Sequence, residues 1–447
     1  MRHAALSILL FTVVSRLIRV GCRWDEWALH YATYNVDTRL ALGGGDYAAA
    51  LGAWVGLHPP GYPLLHAVVS LVWPAPIAWL LLSAVASTVA VWALLKAHPR
   101  TVIPALAVAT DPVQLHYAVE VTNYPVATMV LALAWMGHRR DRPLILGVAA
   151  FLACWLHILV AVGVGIIVAF NRLRLSMVPV MFLAGIFLVP QAWDIAMDGG
   201  TRRQPPIAVD LSFKDAVDRF GVSWLLLSPL VVAGFHRAAD AALLWCGLIV
   251  AWLTAVLLGI GAPHQFPYAC FVGIPAAVLL GCTTERWPRA FFVVAAVLIG
   301  RGTASCVQEV ASLQDVIDDQ ARPRAIDAVL EQALPGDAIV LVRGPGSPDD
   351  DKRHTSPVLW RLSPFSSAAP IVTAGNPAFQ GHPFLIDGLR IFTFAHPRED
   401  IGRIDGSRVF TILYDGAEQN PERIPDHPAQ GKWQSAGTDL WRGPIGS

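Results

Sequence analysis

The chain has 447 residues, of which 55% are hydrophobic and only 15% are charged, and its mean hydropathy is +0.50. Soluble domains carry about 25% charged residues, so this composition excludes an ordinary soluble protein. The formal net charge is zero, so nothing in the charge balance argues for nucleic acid as a partner.

The chain opens with an apolar segment, residues 4–14, which we interpret as an uncleaved first helix because no small-residue cleavage site follows it. The run Arg23-Trp24-Asp25-Glu26-Trp27 comes shortly afterwards. Carboxylates beside a membrane are costly unless they are solvated, paired or used. The acidic pair therefore predicts a functional site at the bilayer surface, and a merely solvated loop is the alternative.

Apolar runs of spanning or near-spanning length follow, separated by short loops. Five of these loops are basic, at residues 96–100, 138–142, 171–174, 236–237 and 284–286. The positive-inside rule places them in the cytoplasm if the short apolar run 60–73, which contains Pro63, lies at the interface and does not span. We then expect about eleven transmembrane helices, a cytoplasmic N-terminus, a first outer loop over residues 19–76 with interfacial helices, and an outer C-terminus.

Two further features complete the predicted fold. His157 divides the apolar run 143–170 into two short helices that meet at the outer face. Beyond residue 302 the composition becomes that of a soluble protein, with helical spacing over 305–334 and strands near 337–342, 390–395 and 408–414. We therefore predict an all-α polytopic membrane domain (residues 1–302) and a small α/β domain on the outer face (residues 303–447).

With this topology, polar side chains from five separate segments converge on the outer face. They are Asp25, Glu26, His58, Tyr62, Tyr117, Glu120, Asn123, Tyr124, His157, His264 and Tyr268. Several of them have a simpler interpretation on their own: a rigid turn for His58, an ion pair for Glu120, a helix end for His157, and interfacial anchoring for His264 and Tyr268. Their joint placement favours a catalytic or binding site.

The order of these motifs resembles the GT-C superfamily of membrane glycosyltransferases, which includes protein O-mannosyltransferases and aminoarabinose transferases. The resemblance rests on Trp24-Asp25-Glu26 after the first helix, on His58-Pro59-Pro60-Gly61-Tyr62, on the stretch from Asp111-Pro112 to Tyr124, on Leu156-His157, on Tyr268 with Pro275, and on Pro335-Gly336-Asp337 before a strand. Members often carry Arg at two positions where this chain has Asn123 and Pro267. The remaining outer cationic candidates are His58, Lys214, His264 and Arg301.

This resemblance implies transfer of a sugar from a polyprenyl-phosphate donor to an acceptor hydroxyl at the outer face of a bacterial-type inner membrane. It implies Asp25 as the general base, with Glu26 orienting the acceptor or sharing that role. His58, Tyr117, His264 and Tyr268 are expected to stabilise the leaving phosphate.

The acceptor is a lipid, a glycan or a protein, and we expect no cofactor. A divalent cation on Asp25, Glu26 and Glu120 is the alternative. A lipid-linked sugar flippase and a non-catalytic accessory protein are the alternative functions, and the absence of a visible inverted repeat argues against a transporter.

Overall fold

A computed structural model describes residues 2–22, 61, 65, 72, 75–118, 123–170, 177–188, 222–257, 268–318, 332, 334–342, 384–386, 389–392, 409–414, 434–435 and 440–442. The chain divides into two compact units. The first comprises Met1–Gly21 and Leu51–Val310, and the second comprises Cys22–Ala50 and Ala311–Ser447. The predicted interfacial helices of the loop 19–76 lie outside the described residues, apart from isolated positions.

Helices make up the described part of the first unit. They are α1 (Arg2–Cys22), α2 (Ala75–Ala97), α3 (Ile103–Ala109), α4 (Pro112–Tyr117), α5 (Tyr124–Arg139), α6 (Pro143–Leu156), α7 (Ile158–Phe170), α8 (Met177–Leu188), α9 (Val222–Ala233), α10 (Ala239–Leu257), α11 (Ala269–Arg286) and α12 (Pro288–Asp318).

Prolines and capping residues set several of these boundaries. Helices α3, α4, α5 and α6 each carry a proline in the first turn, where its missing N–H costs nothing. The carboxylate of Asp111 caps α4 by accepting the N–H groups of Val113 and Gln114. The break that the sequence predicts at His157 is confirmed, because this residue has extended backbone angles (φ −164°, ψ 133°) between α6 and α7.

Close helix packing holds the first unit together. Helix α5 packs against α2, α6, α7 and α11, and α11 packs against α3. Glycines permit two of the closest approaches: a Cβ added at Gly281 would lie 2.6 Å from Pro104, and one added at Gly302 would lie 2.7 Å from Thr110. Small residues serve this purpose in membrane helix bundles, where backbones approach closely.

The described helices share two ends, and the described basic loops, which do not include residues 171–174, gather at one of them. Arg140 Nε donates to the carbonyl of Lys96 (2.6 Å), and Arg139 lies 3.7 Å from Asp240. The Thr283 hydroxyl donates to the carbonyl of Leu230 (2.7 Å), just before the loop 236–237. We call this the basic-loop end, and the opposite end carries the starts of α5 and α11 and the break at residue 157.

Helix lengths bear on how the chain crosses a bilayer. Among the described residues, Ala269–Arg286 and Pro288–Val307 are long and apolar enough to span a membrane. Shorter apolar helices include Pro143–Leu156 and Ile158–Phe170, each about 20 Å long against a hydrocarbon core of about 30 Å. The total of about eleven spans and the orientation of the termini stay predictions.

The second unit contains a six-stranded sheet. Its strands are β1 (Ala338–Val342), β2 (Phe384–Ile386), β3 (Leu389–Phe392), β4 (Val409–Tyr414), β5 (Gln434–Ser435) and β6 (Leu440–Arg442). They are arranged in the order β2-β3-β1-β4-β6-β5, with β1 parallel to both β3 and β4 and the other pairs antiparallel. Strands β1, β3 and β4 fall where the sequence predicts strands.

The helical spacing that begins at residue 305 has a different origin from the one expected. Residues 305–318 continue α12 and do not start a new helix. The reason is that no proline interrupts residues 289–318, so the last apolar helix extends past the predicted boundary at residue 302.

Candidate functional site

Rings from four helix ends meet at the end of the bundle opposite the basic loops. The ring centroid of Tyr124, at the start of α5, lies 5.5 Å from that of Tyr117, 5.9 Å from His157 and 6.3 Å from Tyr268. The His157 ring lies 5.1 Å from Tyr268 and 4.8 Å from Phe271. We call these five residues the ring cluster.

Backbone contacts fix the histidine of this cluster. The Asn123 side-chain amide donates to the carbonyl of Leu156 (2.8 Å), the last residue of α6. The Leu159 N–H donates to Nδ1 of His157 (3.2 Å). Because Nδ1 accepts this hydrogen bond, a neutral imidazole carries its proton on Nε2. The break between α6 and α7 thus holds the histidine in one orientation and one tautomer.

Tyr268 immediately precedes α11 and is 7% exposed. Burial raises the pKa of its phenol to about 12 because the anion is poorly solvated there. The side chain is therefore a hydrogen-bond donor at neutral pH. Trp252 of α10 packs edge-on against it, with ring centroids 6.0 Å apart.

A hydrogen-bonded bridge links α4 to α11 beside the cluster. Gln114 Nε2 donates to the carbonyl of Cys270 (2.7 Å), two residues after Tyr268. The backbone N–H of Gln114 donates to Asp111. Tyr117 at the end of α4 and Tyr268 at the start of α11 are therefore coupled through one buried polar side chain.

Two buried arginines converge on the C-terminal end of α3. Arg301 donates from Nε to the carbonyl of Thr110 (3.1 Å) and from Nη2 to the carbonyl of Ala107 (2.6 Å). Its Nη1 lies 3.9 Å from a carboxylate oxygen of Asp111. Arg16 of α1 donates from Nη1 to the carbonyl of Ala109 (3.0 Å).

These cations have a structural reason to be there. All seven residues of α3 are buried, so water cannot reach the carbonyls that the helix leaves without intrahelical partners. Positive charge is also favoured at the C-terminal end of the helix dipole. We call Arg16, Arg301 and Asp111 the arginine cluster.

Five of the predicted site residues are described: Tyr117, Asn123, Tyr124, His157 and Tyr268. The structure brings all five together, with Asn123 acting through the carbonyl of Leu156. The others lie outside the described residues, and they are Asp25, Glu26, His58, Tyr62, Glu120 and His264.

The sequence prediction missed several residues of this region. Arg16 was detectable, because an arginine inside an apolar helix is a functional signal in its own right. Phe271 was detectable from its position one turn after Tyr268 on α11. Gln114 and Trp252 carried no signal, since their contacts come from helices distant in sequence.

No group of three or more metal-binding side chains is present in the part of the chain that the structure describes. The alternative cation site on Asp25, Glu26 and Glu120 lies outside that part. The chemistry available in the described region is hydrogen-bond donation from phenols and an imidazole, framed by aromatic rings.

The fold and the ring cluster define a class of protein: a multi-helix bundle of membrane type with a polar aromatic site at one end of its helices. No protein-family model matches the chain, and no curated protein sequence matches it significantly.

Solved structures do match it. The crystal structure of ArnT from Cupriavidus metallidurans bound to undecaprenyl phosphate superposes with a TM-score of 0.64 at 14% identity, over 98% of both chains. The apo structure of the same ArnT gives a TM-score of 0.60 at 11% identity, again over 98% of both chains. The chain therefore has an ArnT-like fold, in agreement with the fold that the resemblance in motif order implies.

Proposed function

We propose that the chain is an integral membrane glycosyltransferase that moves a sugar from a polyprenyl-phosphate donor to an acceptor hydroxyl. The observation that carries this proposal is the ring cluster, which lies in a fold shared with ArnT over 98% of both chains. The comparison structure contains undecaprenyl phosphate, which supports a polyprenyl phosphate as the lipid partner here.

The proposed reaction is a single displacement at the sugar carbon. A carboxylate of the first loop, Asp25 with Glu26 beside it, takes the proton of the acceptor hydroxyl, whose oxygen forms the new glycosidic bond. The bond from the sugar carbon to the phosphate oxygen breaks, and the leaving group departs as polyprenyl phosphate. The atoms balance without a further reactant.

The developing charge on the leaving phosphate needs hydrogen-bond donors aimed at it. Tyr268 is a suitable donor because its phenol stays protonated at neutral pH. His157, held by the N–H of Leu159, presents Nε2–H as a second donor. Tyr117 and Tyr124 complete the aromatic wall, and His58 and His264 remain proposed donors from segments outside the described residues.

We also propose the orientation that the positive-inside rule predicts. The basic-loop end would face the cytoplasm and the ring cluster the outer side of the inner membrane. The structure supports this arrangement by placing the described basic loops and the ring cluster at opposite ends of the same helices.

The test uses the full chain purified into lipid nanodiscs and a panel of polyprenyl-phosphate sugars, with donor consumption and lipid-phosphate release as readouts. Asp25→Asn is expected to lower turnover by about 10²–10⁴-fold, which is the usual contribution of a general base. Donor binding is expected to persist in this variant.

Ser7→Ala, on the first helix away from both clusters, is the matched control. Wild-type turnover in Asp25→Asn would contradict the assignment of the base. Absence of transfer with every donor, together with movement of a lipid-linked sugar across sealed vesicles, would replace the transferase by a flippase.

A further inference from the structure

A cleft of about 550 Å³ lies at the basic-loop end, far along the helices from the ring cluster. Its lining comes from three segments: the loop before α3, the last turn of α11 and the first turns of α12. The lining residues are Arg100, Thr101, Thr284, Glu285, Pro288, Phe291 and Phe292. The volume falls within the range of about 300–1,000 Å³ that is usual for small-ligand sites.

The cleft presents one positive and one negative side chain that do not neutralise each other. Arg100 and Glu285 are both exposed, and neither forms an ion pair with another residue in the described ranges. Thr101 Oγ1 accepts the N–H of Ile103 (3.2 Å), and no hydrogen bond from this hydroxyl is made to another described residue. The wall thus offers a cation, a carboxylate and a hydroxyl donor.

The remaining wall is apolar and faces outward. Phe292 is 73% exposed and Val293 is 62% exposed, on the helix segment Pro288–Val307 that is long and apolar enough to span a membrane. Phe291 and Phe292 pack edge-on, with ring centroids 5.6 Å apart. Exposed apolar side chains on a helix of this kind face lipid acyl chains, and a charged cleft at the end of the same helix lies near the lipid headgroups.

We propose that this cleft binds the headgroup of a zwitterionic aminophospholipid, of the phosphatidylethanolamine class, from the leaflet at the basic-loop end. Arg100 and the Thr101 hydroxyl hold the phosphate, Glu285 accepts hydrogen bonds from the primary ammonium, and an acyl chain lies along Phe291 and Phe292.

The carboxylate is what selects this lipid class. A phosphatidylglycerol headgroup carries its one negative charge on the phosphate and ends in a neutral glycerol, which offers Glu285 only neutral hydroxyl donors. An ammonium binds the carboxylate more strongly, so Glu285 shifts the preference towards the zwitterion. A choline headgroup carries a full positive charge but no N–H to donate, and it is best recognised by aromatic faces rather than by a carboxylate. A primary ammonium satisfies the carboxylate through hydrogen bonds to a charged acceptor.

The experiment measures which lipids stay bound to the full chain. The protein is reconstituted in nanodiscs of equal parts phosphatidylethanolamine, phosphatidylglycerol and phosphatidylcholine, and the retained lipids are quantified by native mass spectrometry. Wild-type protein is expected to retain phosphatidylethanolamine about tenfold over either other lipid, since a hydrogen bond between charged groups is worth about that much in binding.

Two variants separate the contributions. Glu285→Gln is expected to abolish the preference for phosphatidylethanolamine over phosphatidylglycerol. Arg100→Gln is expected to lower the retention of phosphatidylethanolamine and of phosphatidylglycerol alike. Asp141→Asn and Arg142→Gln make the same charge changes at exposed positions of the same end without lining the cleft, and they should leave the retained lipids unchanged.

Equal retention of the three lipids by wild-type protein would overturn the proposal, as would an unchanged lipid ratio in Glu285→Gln. A matching loss in the Asp141 and Arg142 controls would also overturn it, because the effect would then come from general surface charge. The readout is lipid binding and not sugar transfer, so either proposal can fail while the other stands.

Discussion

Removal of the Arg301 guanidinium should destabilise the bundle by breaking the arginine cluster. This side chain is 5% exposed and donates to the carbonyls of Ala107 and Thr110, with Asp111 alongside. Arg301→Met keeps the apolar length of the side chain but leaves a buried carboxylate without its cation. Breaking a buried ion pair from one side costs about 3–5 kcal/mol.

A double-mutant cycle isolates the charge pair from the carbonyl contacts. Asp111→Asn preserves the α4 cap, because the Asn oxygen still accepts the N–H groups of Val113 and Gln114. In Arg301→Met/Asp111→Asn the orphaned charge is gone, so part of the destabilisation, about 1–3 kcal/mol, should be recovered. Thermal unfolding in nanodiscs at neutral pH, monitored by tryptophan fluorescence, supplies the stabilities.

Arg301→Lys is the conservative comparison, and it should fall between wild type and Arg301→Met. A lysine keeps the charge but cannot reach two carbonyls and a carboxylate with one planar group. A midpoint in Arg301→Met equal to that of wild type, or fully additive effects in the double variant, would refute this account of the cluster.

Three other outcomes follow from single contacts. Gly302→Ala should destabilise the bundle by about 1–3 kcal/mol, because the added Cβ would lie 2.7 Å from Thr110. Gly300→Ala is the control: no atom lies within 4 Å of its added Cβ, so this variant should be neutral or slightly stabilising. Burial, with a smaller contribution from Arg139, lowers the pKa of His98 from 6.5 to about 4. Folding therefore favours the neutral imidazole, and about 3 kcal/mol of folding stability should be lost as the pH falls from 6.5 towards 4. His98→Gln should flatten that pH dependence of the melting midpoint. Asn123→Ala should lower sugar transfer at least tenfold with a smaller loss of stability, because it removes the hydrogen bond to the carbonyl of Leu156 that positions the His157 break. Turnover and thermal unfolding are measured side by side, and an equal loss of turnover and of stability would indicate a purely structural role.

Local signals in the sequence were enough to place several elements. The helix break at His157 and the strand Ala338–Val342 both depend on residues adjacent in the chain. The gathering of the described basic loops at one end also followed from the sequence, because the charge at helix ends is governed by the bilayer and not by tertiary detail.

Side-chain partners across helices were beyond the sequence. Nothing in the chain near Gln114 indicates that its amide reaches the carbonyl of Cys270, which is 156 residues away. The same holds for Arg16, whose guanidinium reaches Ser87 and the carbonyl of Ala109. Such contacts depend on helix rotation and depth, which hydrophobic patterning fixes only loosely when a helix is apolar on all sides.

Of the two positions where the resemblance expects arginine, Asn123 lies among the described residues and Pro267 lies outside them. Asn123 uses its amide to hold the last carbonyl of α6 (2.8 Å), so it positions the His157 break and does not present a charge. Arg16 and Arg301 do not replace the missing cations, since they donate to main-chain carbonyls of α3. Among the described residues, the proposed hydrogen-bond donors to the phosphate are therefore Tyr268 and His157. The Tyr268 phenol is neutral at pH 7, and its contact with a phosphate is screened less by salt than an ion pair. We therefore expect the affinity for the sugar donor to depend only weakly on ionic strength.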